Sequence, residues 1–199
     1  LALALADFPN PNRWQVAQDD VFDHESRFAS ALKHAGVVLC NPPFEDFTKK
    51  ERMRYAPESV KKPVELLNRV LDSLHPQGLL GFVLPRNILD GRGYDRIRGR
   101  LARRFATIEL TTLPDKAFDA DHEVALLIAT DPIPHGRVVV KHRKVKDAAD
   151  DWNRFVWHHS VSSEESLHKS FDNAAESLAI PELRQVWEAL EHHETLADV

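Results

Sequence analysis

Cysteine is nearly missing from this sequence: Cys40 is the only one in 199 residues. A lone thiol forms no internal disulfide, which fits an intracellular, cytoplasmic setting. Glycine is scarce as well, 7 in all, and none precedes Asp20. No apolar run approaches the ~20 residues of a membrane span. The opening Leu1-Ala2-Leu3-Ala4-Leu5-Ala6 is too short for a signal-peptide core and runs straight into Asp7, so it reads as the end of a helix. An excess of positive charge is lacking too. The net charge of −5 excludes a nucleic-acid binder that is basic over its whole surface. The paired histidines His158-His159 and His192-His193 lack zinc-ligand spacing with a cysteine or a third histidine, so no metal site is expected. There is no internal repeat.

What is present reads as a packed α/β domain. At 43% hydrophobic and 29% charged, the chain has enough apolar material for one domain and a piece of a second. Val37-Val38-Leu39-Cys40 is a short apolar run after Gly36, the pattern of a buried strand. Leu79 to Leu84 is a second such run, closed by Pro85. Between them, Pro63 opens a helix whose apolar stripe is Val64, Leu67, Val70, Leu71 and Leu74. Strand, helix and strand in that order predict a parallel pair joined by a crossover. Ser26 to Ala35 and Tyr94 to Phe105 also have helical spacing. Residues 106–113 and 123–130 predict two more strands, antiparallel because the loop between them is short. Trp14 to Gln18 predicts a short strand, and Val138-Val139-Val140 and Phe155-Val156-Trp157 predict strand pieces. Phe44 to Pro57 reads as an irregular polar loop. Ser160 to Asn173 reads as a linker, and Pro181 as the start of a last helix.

Two basic stretches interrupt the acidic balance. One contains Arg86, Arg92, Arg96, Arg98, Arg100, Arg103 and Arg104; the other contains Arg137, Lys141, Arg143, Lys144 and Lys146. Both are able to face a phosphate backbone or to be ordinary solvated surfaces, and composition leaves both readings open.

The chemistry concentrates after the first buried strand. Asn41 stops it, and Pro42 and Pro43 lock the chain into a stiff extended turn. A stiff turn at the carboxyl end of a buried strand is where open α/β sheets keep their ligand crevice. It offers the Asn41 amide, the Pro42 carbonyl and the aromatic face of Phe44, which suit a planar base carrying an amine. By composition alone, Asn-Pro-Pro is also an ordinary turn.

Asn41-Pro42-Pro43-Phe44 resembles the catalytic motif of the S-adenosylmethionine-dependent amino-group DNA methyltransferases, in particular the N6-adenine enzymes of restriction-modification type. The resemblance covers about residues 14 to 132. It implies an α/β fold with part of a doubly wound, Rossmann-like sheet. It also implies a division into a partial catalytic domain, 1–132, and an extension, 133–199, leading toward a target recognition domain. It implies S-adenosylmethionine as cofactor and double-stranded DNA as partner. Asn41, Pro42 and Phe44 take the catalytic roles, with Asp20 and Phe22 on the cofactor adenine. Pro43, Phe118, Arg96, Arg100 and Arg103 are candidates for the target base or the DNA, and Phe47 and Lys49 lie on a loop able to touch it. The sequence departs from the family in one respect. The family's Asp-x-x-x-Gly-x-Gly turn belongs upstream of Asp20, and Gly91-Arg92-Gly93 lies in the wrong place to serve. The chain is therefore expected to be the carboxyl-terminal half of a methyltransferase domain, inactive alone. Its partner would be the amino-terminal part of the same protein or a restriction or specificity subunit. Methylation of RNA or of a protein glutamine, and a non-catalytic DNA-binding relic, remain as alternatives.

Overall fold

The computed structural model describes residues 18–23, 26–114, 123–132, 136–146 and 149–180. In chain order these form α1 (Phe28–Leu32), β1 (Val37–Cys40), α2 (Lys49–Tyr55), α3 (Lys62–Ser73) and β2 (Leu79–Pro85). A 3-10 turn, Arg86–Ile88, leads to α4 (Asp95–Arg104), β3 (Thr107–Thr112), β4 (Val124–Thr130) and β5 (Arg137–Lys144). Then come α5 (Ala149–His158), β6 (Ser163–Ser170) and α6 (Phe171–Glu176). The strands make one six-stranded mixed sheet in the order β1-β2-β4-β3-β5-β6. The fold is α/β, as the sequence pattern predicts.

β1 and β2 are parallel and adjacent, with Cys40 opposite Phe82. This is the expected crossover, and it brings Asn41 and Pro85 to the same edge of the sheet. β4 runs antiparallel to both β2 and β3, and β5 is parallel to β3. Hence β1, β2, β3 and β5 all present their carboxyl ends at that edge. The sheet continues past residue 132 through β5 and β6.

Alternation along the strands divides the two faces. Val38, Leu80, Phe82, Leu84, Ile108, Leu110, Leu127 and Val140 point to one face and are buried under α1, α3, α4 and α6. Pro63 sits in the first turn of α3 and Lys62 begins it, one residue earlier than the sequence suggests. On the opposite face Val37 and Leu39 are 58% and 80% exposed. Leu39 lies across Gly81, where a Cβ would clash with its side chain. That face is apolar over β1, β2 and β4. It turns ionic over β3, β5 and β6, where Arg143 bridges Glu109 at 2.8 Å and Glu164 at 2.7 Å.

Three expectations need correction. The Phe44 to Pro57 segment is not all loop: α2 occupies Lys49–Tyr55, started by a reciprocal capping box between Thr48 and Glu51. Phe155-Val156-Trp157 is helical within α5, whose first turn carries Asp150 and Asp151, favourable to the helix dipole. Ser160 to Asn173 is not a linker, because β6 fills most of it. Its polar sequence holds as a strand because Glu164 and Glu165 pair across from Arg143 and His142 of β5. The expected strand at Trp14 to Gln18 and the helix from Pro181 lie outside the described residues, Gln18 excepted. No described helix is long and apolar enough to cross a membrane.

Arg98 of α4 is 2% exposed and is held by backbone carbonyls alone. It donates to Ile88 and Gly91 on the turn after β2, at 3.3 and 3.0 Å, and to Ala175 and Glu176 at the end of α6, at 2.8 and 2.6 Å. Burial lowers its pKa, yet a guanidinium stays charged at any physiological pH. Arg98→Met removes every one of these bonds and strands the carbonyls. The expected loss is about 3 kcal/mol or more in a urea unfolding curve. A loss under about 0.5 kcal/mol would mean that water replaces the guanidinium there.

Candidate active site

The carboxyl edge of the sheet collects the residues that carry chemistry. Asn41 is exposed directly beyond β1, Pro42 is buried, Pro43 is exposed and Phe44 is half-buried. Among the described residues, none bonds the Asn41 side-chain amide or donates to the Pro42 carbonyl. Cys40, beside them, has its thiol pushed up to about 11 by burial, so it stays protonated at neutral pH. The chain after Phe44 is pinned rather than loose. Asp46 bridges to Lys61, and the Phe47 amide donates to Val60 at 2.8 Å. Lys62, 8% exposed at its side chain, pairs with Glu45 at 2.7 Å and Glu51 at 2.9 Å.

Phe47 is not a DNA contact in this arrangement. It is 4% exposed, edge-on to Phe22 at 4.8 Å and 6.1 Å from the Tyr55 ring. Lys49 sits in the first turn of α2 and is exposed. Phe22 is itself only 7% exposed, with the Arg69 guanidinium 5.7 Å from its ring centre. Its ring face is therefore covered, and Phe22 offers its backbone rather than a stacking surface. Asp20 accepts from the Tyr55 hydroxyl at 2.5 Å and from the Phe22 amide at 3.0 Å. A carboxylate has about four lone-pair sites, so Asp20, with a side chain 39% exposed, retains room for a further amine donor. As a cofactor cradle the described residues fit in part. Asp20 suits an adenine amine, and Phe22 does not offer its ring.

Two clefts open along the edge. The smaller, about 330 Å³, is lined by Phe44, Lys61, Pro85, Arg86, Asn87, Tyr94 and Glu123. The larger, about 590 Å³, takes in Arg86, Asn87 and Glu123 again and extends to His142, Lys144 and Glu165. The Arg86–Glu123 ion pair, 3.1 Å, stands on the wall common to both. Tyr94 is 2% exposed, with the Lys61 ammonium 5.4 Å from its ring centre. Burial raises the Tyr94 hydroxyl pKa against the opposing effect of its hydrogen bond with the Asn87 side chain. His142 is bonded through Nε2 to Thr112 Oγ1 at 2.8 Å. Burial and then the Arg86 charge lower its pKa, so it is neutral at pH 7. Sequence reasoning singled out Phe44 but missed Asn87, Tyr94 and Lys61, which no motif marks.

The candidate DNA-facing arginines are all engaged. Arg96 pairs with Glu58 at 2.9 Å, and Arg103 meets Asp172 at 3.8 Å. Arg100 bonds Asn68 at 2.7 Å and pairs with Asp72. Arg104, at the far end of α4, reaches the Leu74 and His75 carbonyls just before β2. α4 therefore runs away from the carboxyl edge, and Arg96 is nearest that edge among the three candidates. Phe118 lies outside the described residues. Among the described residues no three His, Cys, Asp or Glu side chains gather as metal ligands.

No family model matches the sequence, and no curated protein does. Solved structures do match. The type I restriction-modification methyltransferase subunit from Streptococcus thermophilus aligns with a TM-score of 0.52 at 17% identity, over 79% of this chain and 39% of that one. The chain shares its fold. The DrdV–DNA complex matches with a TM-score of 0.56 at 12% identity, over 77% of this chain and 20% of that one. The type IIG restriction endonuclease BpuSI matches with a TM-score of 0.52 at 12% identity, over 80% and 22%. The chain thus spans well under half the length of each.

The loop after Phe44 depends on ionised Glu51. Its bond with Lys62, then those with Thr48, hold its carboxyl down to about 2 from an ordinary 4.5. A depressed carboxyl stabilises the fold fully above the ordinary value and loses that effect as pH falls toward the folded one. Glu51→Gln is therefore expected to be less stable than the parent at pH 7, with the gap closing between pH 4.5 and about 2. Denaturant midpoints at matched pH measure this; a gap independent of pH would exclude the Lys62 pairing as its source.

Proposed function

We propose that this chain carries the acceptor half of a site that transfers a methyl group from S-adenosylmethionine to N6 of adenine in DNA. The observation that carries the reading is the placement of Asn41, Pro42 and Phe44 directly beyond β1 at the carboxyl edge, where Phe44 lines the smaller edge cleft and Asn41 lines a separate cleft of about 370 Å³ with Leu39, Gly81 and Phe82. When bound, the cofactor supplies an electrophilic methyl on a sulfonium. The chain's own residues would act on the acceptor. An adenine amine is a poor nucleophile because its lone pair is delocalised into the ring. The Asn41 side-chain oxygen and the Pro42 carbonyl accept its two hydrogens and favour the charge that grows on nitrogen. Phe44 supports the flipped base by stacking. No strong base is needed, since the proton leaves after the methyl arrives, and protonated Cys40 fits that. Asp20 holds the cofactor's adenine amine, with Phe22 backing it through its amide rather than its ring.

The same reading covers the partners. The apolar face over β1, β2 and β4 supports a further part of the domain packing on the β1 side. A restriction or specificity partner and double-stranded DNA belong to the working protein. Arg96, 70% exposed at its side chain, is the candidate for a phosphate contact at the edge. Residues 133–199 would lead toward a target recognition domain. The fold likeness to restriction-modification methyltransferases favours DNA over RNA or a protein glutamine as acceptor.

Two outcomes test this. The 199-residue chain alone is expected not to bind S-adenosylmethionine in calorimetry, because no glycine turn holds the amino-acid end; micromolar affinity would refute the half-site reading. In the protein that supplies the cofactor half, Asn41→Ala is expected to lower kcat about 10²–10³-fold and leave DNA affinity nearly intact. Single-turnover methylation with parallel anisotropy measures both. A parental rate in Asn41→Ala would make Asn41 a turn residue only.

A further inference from the structure

Adenine and cytosine both offer an exocyclic amine to the Asn41-Pro42 pair. They differ beside it. Adenine flanks the amine with two acceptor nitrogens, N1 and N7. Cytosine has an acceptor, N3, on one side and a C5–H on the other. A site that holds only the amine and the ring face cannot separate them well; a donor on the N7 side can. Asparagine is the residue whose amide matches the N6/N7 edge of adenine.

Asn87 stands where such a donor is wanted. It lies on the turn after β2, the strand next to β1, and lines the same cleft as Phe44. Its side chain is exposed and its position is fixed twice. The Gly91 amide donates to the Asn87 carbonyl at 2.7 Å, and a Cβ on Gly91 would collide with that carbonyl. Its side chain is hydrogen-bonded to the hydroxyl of Tyr94, itself buried and capped by Lys61. Arg98 then ties the whole turn to α4 through Ile88 and Gly91. A donor anchored this way loses little freedom when a base arrives.

We propose that Asn87 determines base specificity, donating an amide hydrogen to N7 of the flipped adenine while Asn41 and Pro42 hold its amine. The Asn87 side chain donates one Nδ2 hydrogen to the Tyr94 hydroxyl oxygen, which leaves its second Nδ2 hydrogen for a base in the cleft. This rests on the acceptor-site reading above and adds the chemistry of selection to it. Lys61, over the outer face of Tyr94, keeps that ring in place.

The test uses the 199-residue chain and three nucleosides: adenosine, 7-deazaadenosine (in which N7 is a C–H) and cytidine. Binding is followed by shifts of the side-chain amide signals in ¹⁵N-edited spectra. The parent chain is expected to prefer adenosine over both others by about tenfold, the discrimination of one good base contact. Asn87→Leu should bind all three nearly equally, and Asn87→Gln should regain part of the preference. Phe44→Ala should weaken all three alike. If Asn87→Leu keeps the parental preference while Phe44→Ala weakens every nucleoside, Asn87 is not the selector and the acceptor site stands. If Phe44→Ala changes nothing, the cleft is not a base site and both readings fall. Equal binding of adenosine and 7-deazaadenosine by the parent, or no adenosine binding at millimolar concentration, overturns the N7 contact. Asn87→Leu leaves the buried Tyr94 hydroxyl unpaired and is expected to lower the unfolding temperature somewhat, so unchanged backbone amide signals away from the cleft in both variants serve to exclude misfolding as the cause.

Discussion

A buried guanidinium bonded by backbone carbonyls organises the centre of this molecule. Arg98 is buried and satisfied by carbonyls from two segments far apart in sequence. A buried charge without its hydrogen bonds is among the most costly arrangements in a protein. The turn after β2 and the end of α6 must therefore close on it together. Lys169 repeats the device nearby, donating to Ser177 and Ala179 at 2.7 Å each. The Leu178 amide then bonds the Leu89 carbonyl at 2.6 Å, and Leu178 is fully buried. The carboxyl-terminal segment is thus tied to the turn that bears Asn87.

The elements that periodicity revealed are those with an apolar face. β1, β2, α3 and α4 bury Val38, Leu84, Leu67 and Leu101, and each was legible from spacing alone. What escaped was held by polar pairing. β6 buries only Lys169 among its eight residues, and its place is set by charges on β5 that a single segment does not display. α2 carried a local signal, Thr48 followed by Glu51, that an apolar-stripe search passes over. Trp157 shows the limit of β propensity: aromatic and β-branched neighbours suggested a strand, and the acidic first turn of α5 prevailed.

The candidate site divides in the same way. Asn41 and Phe44 stand in one contiguous motif, so the sequence displays them. Asn87, Tyr94 and Lys61 are brought together only by the adjacency of β1 and β2, and none of them carries a pattern. Phe47 looked accessible because it sits between charged residues, yet its ring completes the cluster with Phe22 and Tyr55. The arginine-rich helix looked like one cationic face. In the fold its charges are dispersed among Glu58, Asp72 and Asp172 and, for Arg98, turned inward. Net charge along a stretch of sequence is therefore a poor guide to surface potential when helices of opposite charge pack side by side.

Among the described residues β4 sits between two antiparallel neighbours, whereas β1 is four residues long and pairs with β2 alone. Protection from hydrogen exchange follows that difference, because opening β1 breaks few bonds and exposes little that was dry. The amides of β4 should exchange only through global unfolding, and those of Val37 to Cys40 through local opening at a much smaller free energy. Asn41 hangs from the end of that strand. The acceptor motif therefore hangs from a short strand at one end of the described sheet, and anything that pairs or packs along β1 stiffens it without touching a single reacting atom.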